Sequence, residues 1–109
     1  MAYAQKTHSM TAGANFLVDL GQNCGRVTVT ARAECYVKIV GGLAPTPPGA
    51  SPAPGAGAAA SYVHLAAAGD RLDIGADADG KGYVPGLQDP LRYVVGWGVA
   101  AGDLLVVGH

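Results

Sequence analysis

Apolar and polar positions alternate with period two along most of this chain. Phe16, Val18 and Leu20 alternate with Leu17 and Asp19, and Val27 and Val29 with Arg26, Thr28 and Thr30. Cys35, Val37 and Ile39 alternate with Tyr36 and Lys38, Val63 and Leu65 with Tyr62 and His64, and Leu72 and Ile74 with Arg71 and Asp73. The longest series is Leu91, Tyr93, Val95, Trp97 and Val99, with Arg92, Val94, Gly96, Gly98 and Ala100 on the other side. Successive side chains of a strand point to opposite faces, so each series can line one side of a sheet. No window carries a sustained 3.6-residue period with caps, and Ala56–Ala60, flanked by Gly and Pro, reads as loop. The pattern predicts an all-β chain, a single antiparallel β-sandwich or small jelly roll. Its expected core is Phe16, Val29, Val37, Ile39, Leu72, Ile74, Val95 and Trp97.

Three regions organise the chain. Residues 1–14 are polar and uncapped and read as an extended N-terminal arm, able to pair with the sheet edge of a neighbour. Residues 15–109 form the sandwich domain. Within it, 41–60 are a low-complexity insert holding five of the seven prolines. Such a segment buries little apolar surface and is expected to be extended or mobile when isolated, and ordered when neighbouring chains hold it. A proline-rich ligand for an aromatic groove is a further reading of the same residues. One short echo is present: Ala67-Ala68-Gly69-Asp70-Arg71-Leu72-Asp73-Ile74-Gly75 parallels Ala100-Ala101-Gly102-Asp103-Leu104-Leu105-Val106-Val107-Gly108. Each copy reads as a Gly-Asp turn leading into a strand, at equivalent corners of the sandwich.

Composition narrows the function. Of 109 residues, 24 are Leu, Ile, Val or Phe, enough for one thin core. The formal net charge of −1 offers no electrostatic footprint for nucleic acid or an anionic membrane. No apolar run is long enough to span a bilayer, and no hydrophobic segment follows Lys6 as in a secretory signal. Cys24 and Cys35 are too few for a disulfide scaffold or a thiolate zinc site. If residues 31–34 make a hairpin turn, Cys35 lies opposite roughly Val29. Cys35 then reads as a buried thiol and Cys24, in a turn, as the more exposed one, able to bridge to another subunit. His8, His64 and His109 lack metal-ligand spacing, with His64 on the polar side of its strand. Asp77 and Asp79 of Asp73–Gly80 fit two positions of a calcium loop but lack its first and last carboxylates. With no nucleophile elbow and no phosphate-binding loop, the expectation is no enzyme activity, no cofactor and no metal. Tyr3, Lys6, His8, Tyr36 and Tyr62 are the candidate interface residues, Tyr being enriched where proteins meet. Sugar stacking on exposed aromatics is the competing use, and defines a glycan-binding or adhesive module as one alternative.

The order of features resembles a known group. Asn15–Gly21 is followed by Arg26–Ala31, by Tyr36-Val37-Lys38-Ile39-Val40-Gly41-Gly42, by the Ala/Pro/Ser-rich loop, by Ser61–Leu65, and by Gly-Asp turns leading to Leu104–Val107. This is similar to the small all-β virion proteins of tailed bacteriophages, above all the head-decoration (cement) proteins. The long Pro/Ala insert departs from their usual short loop. The resemblance implies a capsid-exterior protein, made in the host cytoplasm without a signal peptide, that bridges capsomers. Its partners would be the major capsid protein or another virion protein and further copies of itself, a trimer being favoured. A head-fibre, neck or tail component is the alternative within that group.

Overall fold

In the computed structural model, the described residues are 4–49, 52, 62–75 and 91–108. They form eight strands: β1 (Ala4–Met10), β2 (Ala14–Cys24), β3 (Arg26–Ala31), β4 (Cys35–Gly41), β5 (Val63–Leu65), β6 (Arg71–Gly75), β7 (Leu91–Gly98) and β8 (Gly102–Gly108). Two four-stranded sheets result, ordered β1-β8-β3-β6 and β2-β7-β4-β5, with every neighbouring pair antiparallel. The pairs β1–β8, β2–β7, β3–β6 and β4–β5 nest one inside another. The chain is thus one long antiparallel ribbon wrapped so that its successive segments fall on alternate sides of a sandwich. This meets the expectation of an all-β sandwich.

Between the sheets lie Met10, Phe16, Val18, Leu20, Cys24, Val27, Val29, Ala31, Cys35, Val37, Leu65, Val94, Leu104 and Val106. No polar or charged residue among those described is buried. Phe16, Val29 and Val37 stand in this core, Ile39 and Leu72 are half-buried against it, and Ile74 is half-buried.

Several expectations are corrected. The N-terminal arm is not free: residues 4–10 are β1, an edge strand paired with β8 from Ala4↔Gly108 to Met10↔Gly102. Residues 31–34 do not close a hairpin, because β3 and β4 belong to different sheets and the segment crosses between them. Cys24 is not exposed. It is 1% accessible, with its Sγ 2.6 Å from where a β-carbon on Gly108 would sit. Both cysteines are free thiols.

The largest correction concerns β7, whose alternation carries the opposite polarity to the one expected. Val94 points inward, and so do Gly96 and Gly98. A β-carbon at Gly96 would collide with the Tyr36 carbonyl oxygen and come within 2.8 Å of the Phe16 ring. The glycine side of β7 is therefore the inner one, where the flanking strands β2 and β4 and the chain at Met10 and Thr11 leave no room for side chains. Val95 and Trp97 face outward; Val95 is buried as expected, at 1% accessible, but on the outer side of the sheet, and Trp97 is half-buried rather than in the core.

The two echo segments lie at related corners. They open β6 and β8, the two neighbours of β3. The Ala31 amide donates to the Asp70 carbonyl (2.9 Å) and the Arg32 amide to the Asp103 carbonyl (2.9 Å). The likeness stops there: Gly69 takes φ +94°, whereas Gly102 is not in the left-handed region. Leu72 and Val106 both flank Val29, so the two copies are offset by one residue and opposite members face the core.

Candidate functional face

The outward face of β2-β7-β4-β5 gathers most of the described aromatic side chains. Antiparallel register sets them in rows across the strands. The first row is Asn15, Trp97, Tyr36 and His64; the second is Leu17, Val95 and Lys38; the third is Asp19, Tyr93 and Val40. Side chains directly opposite on one face lie close enough to interact. Tyr36 and His64 stack with ring centroids 4.5 Å apart and planes at 15°. His64 Nε2 lies 2.7 Å from Glu34 Oε2, which tethers the imidazole at the row's end. Lys38 Nζ sits 5.6 Å from the centre of the Tyr62 ring.

At the other end of this face the Arg92 guanidinium forks onto Asp19, with Nε donating to Oδ1 at 2.9 Å and Nη2 to Oδ2 at 3.3 Å. Arg92 lies where the register of β7 slips, between Leu91↔Gly41 and Tyr93↔Val40. That bulge turns Leu91 toward the core while Tyr93 stays outward. Asp19 also accepts the Gly21 amide at 2.8 Å. The Arg92 contact first, and then the Gly21 amide, hold its carboxyl below the usual range.

This face is partly covered. Val95 points outward but is only 1% accessible, and Tyr36 is buried. The segment that leaves β4 returns over it: the Asn15 side-chain amide donates to the Pro48 carbonyl at 2.8 Å, and Pro52 is buried. The first part of the proline-rich insert thus meets the same chain, where the sequence suggests a segment held by neighbouring chains.

The opposite sheet presents a different outer surface. Thr28 and Thr30 stand beside an Arg26–Asp73 pair (2.7 Å), with Ser9 Oγ 3.3 Å from Asp103 Oδ1. Hydrogen bonds from Arg26 and then Thr28 lower the Asp73 pKa. One sheet is therefore aromatic on its outside with an ion pair toward each end, and the other is hydroxylated and charged around Leu105 and Val107.

Of the candidate interface residues, the structure brings Tyr36 and Tyr62 to the aromatic face. Lys6 and His8 stand on β1 in the other sheet, His8 with its ring centroid 5.2 Å from that of Phe16. Tyr3, like the Asp77/Asp79 turn and His109, lies outside the described residues. Nothing in the sequence pattern marks Asn15 and Glu34 for this face, whereas Tyr93 and Trp97 are among the aromatics whose alternative to the core is a sugar-stacking face. The glycines at 96 and 98 carried the missing signal, since two glycines on one side of a strand mark where another backbone comes close. Among the described residues no group of three or more His, Cys, Asp or Glu side chains could hold a metal ion. Comparison with known families, curated proteins and solved structures finds no match.

Proposed function

We propose that this chain is a structural protein of a tailed-phage virion, a decoration protein that seats on the capsid exterior and bridges capsomers. The observation that carries the reading is the wrapped ribbon order, that of a jelly roll, with one outer sheet face aromatic and the other polar. Jelly rolls recur in viral capsid and lectin domains, so this support is analogy at the level of the fold. The two-sided surface suits a tile, whose aromatic face meets protein while its hydroxylated face meets water. Contact would be by many modest surfaces at once, which is how repeated copies on a lattice gain avidity. The motif order of Asn15–Gly21, Tyr36–Gly42 and the Gly-Asp corners supports the same reading.

The test is to band intact particles on a density gradient from a lysate of the host that carries the gene, and to identify their proteins by mass spectrometry. Peptides of this chain should co-band with the shell protein at a fixed ratio, in the head fraction once heads and tails are separated. Recovery with tails would move the protein to the alternative location. Absence from particles would overturn the reading.

The outward position of Trp97 favours one second reading, a glycan-binding or adhesive module, in which the ring stacks on a sugar. A glycan array probed with the wild type and with Trp97→Ala separates the two. Binding lost in a variant with unchanged circular dichroism would favour the second.

A further inference from the structure

We propose that residues 43–49 are a latched strap, hinged at Gly42 and fastened by Asn15, that opens locally to uncover the aromatic row of β2-β7-β4-β5 while the rest of the sandwich stays folded. β4 ends at Gly41, which pairs with Leu91, and the strap is next fixed at Asn15, which pairs with Trp97. The six steps along β7 between those rows cover about 20 Å, and the two strand spacings from β4 to β2 add about 10 Å across, a diagonal of roughly 22 Å. Seven steps of extended, proline-type backbone from Gly41 to Pro48 also reach about 22 Å. The strap therefore crosses the whole face without slack. Its path runs over the middle of β7, which accounts for Val95 pointing outward and yet being only 1% accessible.

The sequence suits that path. Ala44-Pro45-Thr46-Pro47-Pro48-Gly49 holds three prolines. Proline fixes its own φ and favours extended backbone in the residue before it, so the strap is straight before it docks and gives up little entropy in docking.

The fastening is slight. Three of these six residues have no N–H to donate, and no backbone hydrogen bond joins residues 43–49 to another described residue. Among the described residues one side chain holds the strap: Asn15 Nδ2 donates to the Pro48 carbonyl at 2.8 Å. At the other end Gly42 adopts φ +77°, a conformation open mainly to glycine, and so forms a pivot where the chain turns off β4. Leu43, beside the pivot, is 93% accessible and packs on almost nothing. A segment with so few bonds and contacts belongs to the least stable part of a fold, where local opening precedes global unfolding. The strands beneath it are paired continuously over Ala14–Asp19 and Cys35–Val40. Released at Asn15, the strap swings about Gly42, and Val95, Tyr36 and Trp97 lose their cover. Burial of Val95, Tyr36 and Pro52 keeps the closed state the major one. The latch sets when the row can be reached, whether the chain serves a virion or binds a sugar.

Acrylamide quenching of Trp97, the only tryptophan and the residue opposite Asn15, reads the opening. Asn15→Asp keeps the size of the side chain and removes its donor. Losing one hydrogen bond raises the open population roughly five-fold. The quenching constant should therefore rise, while circular dichroism and melting temperature stay near those of the wild type. Inserting Gly-Ser between Thr46 and Pro47 gives the strap slack and should have the same effect. Asn15→Cys/Pro48→Cys joined by a short bismaleimide supplies the closed form, since the native cysteines are buried and stay out of the reaction. The joined protein should be quenched less than the same protein before joining. Equal quenching before and after joining would overturn the proposal. So would an Asn15→Asp protein quenched like the wild type, or one whose quenching rises only as its circular dichroism is lost, because the strap would then be a fixed part of the fold.

Discussion

Cys35 is one of the fully buried side chains of the core. It stands at the start of β4, and burial first, with the Glu34 carboxylate second, pushes its thiol from 9.0 up to about 11. Burial also raises the Cys24 thiol. Neither thiol should react with a disulfide reagent in the folded protein near neutral pH, and both should react once denaturant is added. Rapid labelling of the native protein would contradict this. The raised value also fixes a sign in alkali. The unfolded thiol releases its proton near 9.0 and the folded one near 11, so folding stability falls between those values and levels off above. The Cys35 contribution to that loss is on the order of 2–3 kcal/mol. Urea midpoints from pH 8 to 11 would show it, with Cys35→Ala giving the flatter curve. Burial of Cys35 could be read from its place in series with Val37 and Ile39. Burial of Cys24 could not, because its cover is Gly108, a residue remote in sequence.

At the scale of elements, β7 shows both the reach and the limit of reading periodicity. The alternation at Leu91–Val99 correctly marks a strand. Hydrophobicity alone then assigns its large side chains to the core, and this strand inverts that rule. The inner side belongs to Gly96 and Gly98 because Tyr36 and Phe16 crowd Gly96 from the two flanking strands, and Met10 and Thr11 crowd Gly98 from the turn after β1. Gly96→Ala should therefore destabilise by at least about 1–3 kcal/mol, the range for overpacking a filled core. Gly49→Ala, which meets nothing within 4 Å, should be nearly neutral. Comparable melting temperatures for the two variants would refute this packing. Other strands were legible because one of their faces is plainly polar: Thr28 and Thr30 on β3, Asp19 on β2. On β7 both faces are weakly polar or apolar, so the pattern held no information about direction.

For the whole molecule, the decisive fact is that β1 closes its own sheet. Removal of residues 4–10 would strip β8 of one of its two partners along seven positions and take away Met10, which is 4% accessible. The truncated protein should lose its β-sheet circular dichroism or become insoluble, since an exposed β8 edge invites aggregation. A soluble truncation with the wild-type spectrum would show that the strand is dispensable. Sequence could not reveal this role: Gln5, Lys6 and Thr7 are polar because an edge strand faces water, and a free arm has the same composition. The sandwich class was legible from spacing alone. The nesting of strands was not, because it depends on pairing partners that no local pattern encodes.

That nesting also governs time. The innermost pair, β4–β5, joins residues 26 to 30 positions apart, whereas β1 must wait for β8, whose partners lie 92 to 104 positions further along. Contacts between distant residues slow folding because the intervening chain must first be brought together. During synthesis the first three strands leave the ribosome without their final partners, and Phe16, Val18 and Leu20 remain open to water until β7 and β8 emerge. The protein is therefore built to close late, from its middle outward, and its yield in a cell will depend on what shields those early strands while they wait.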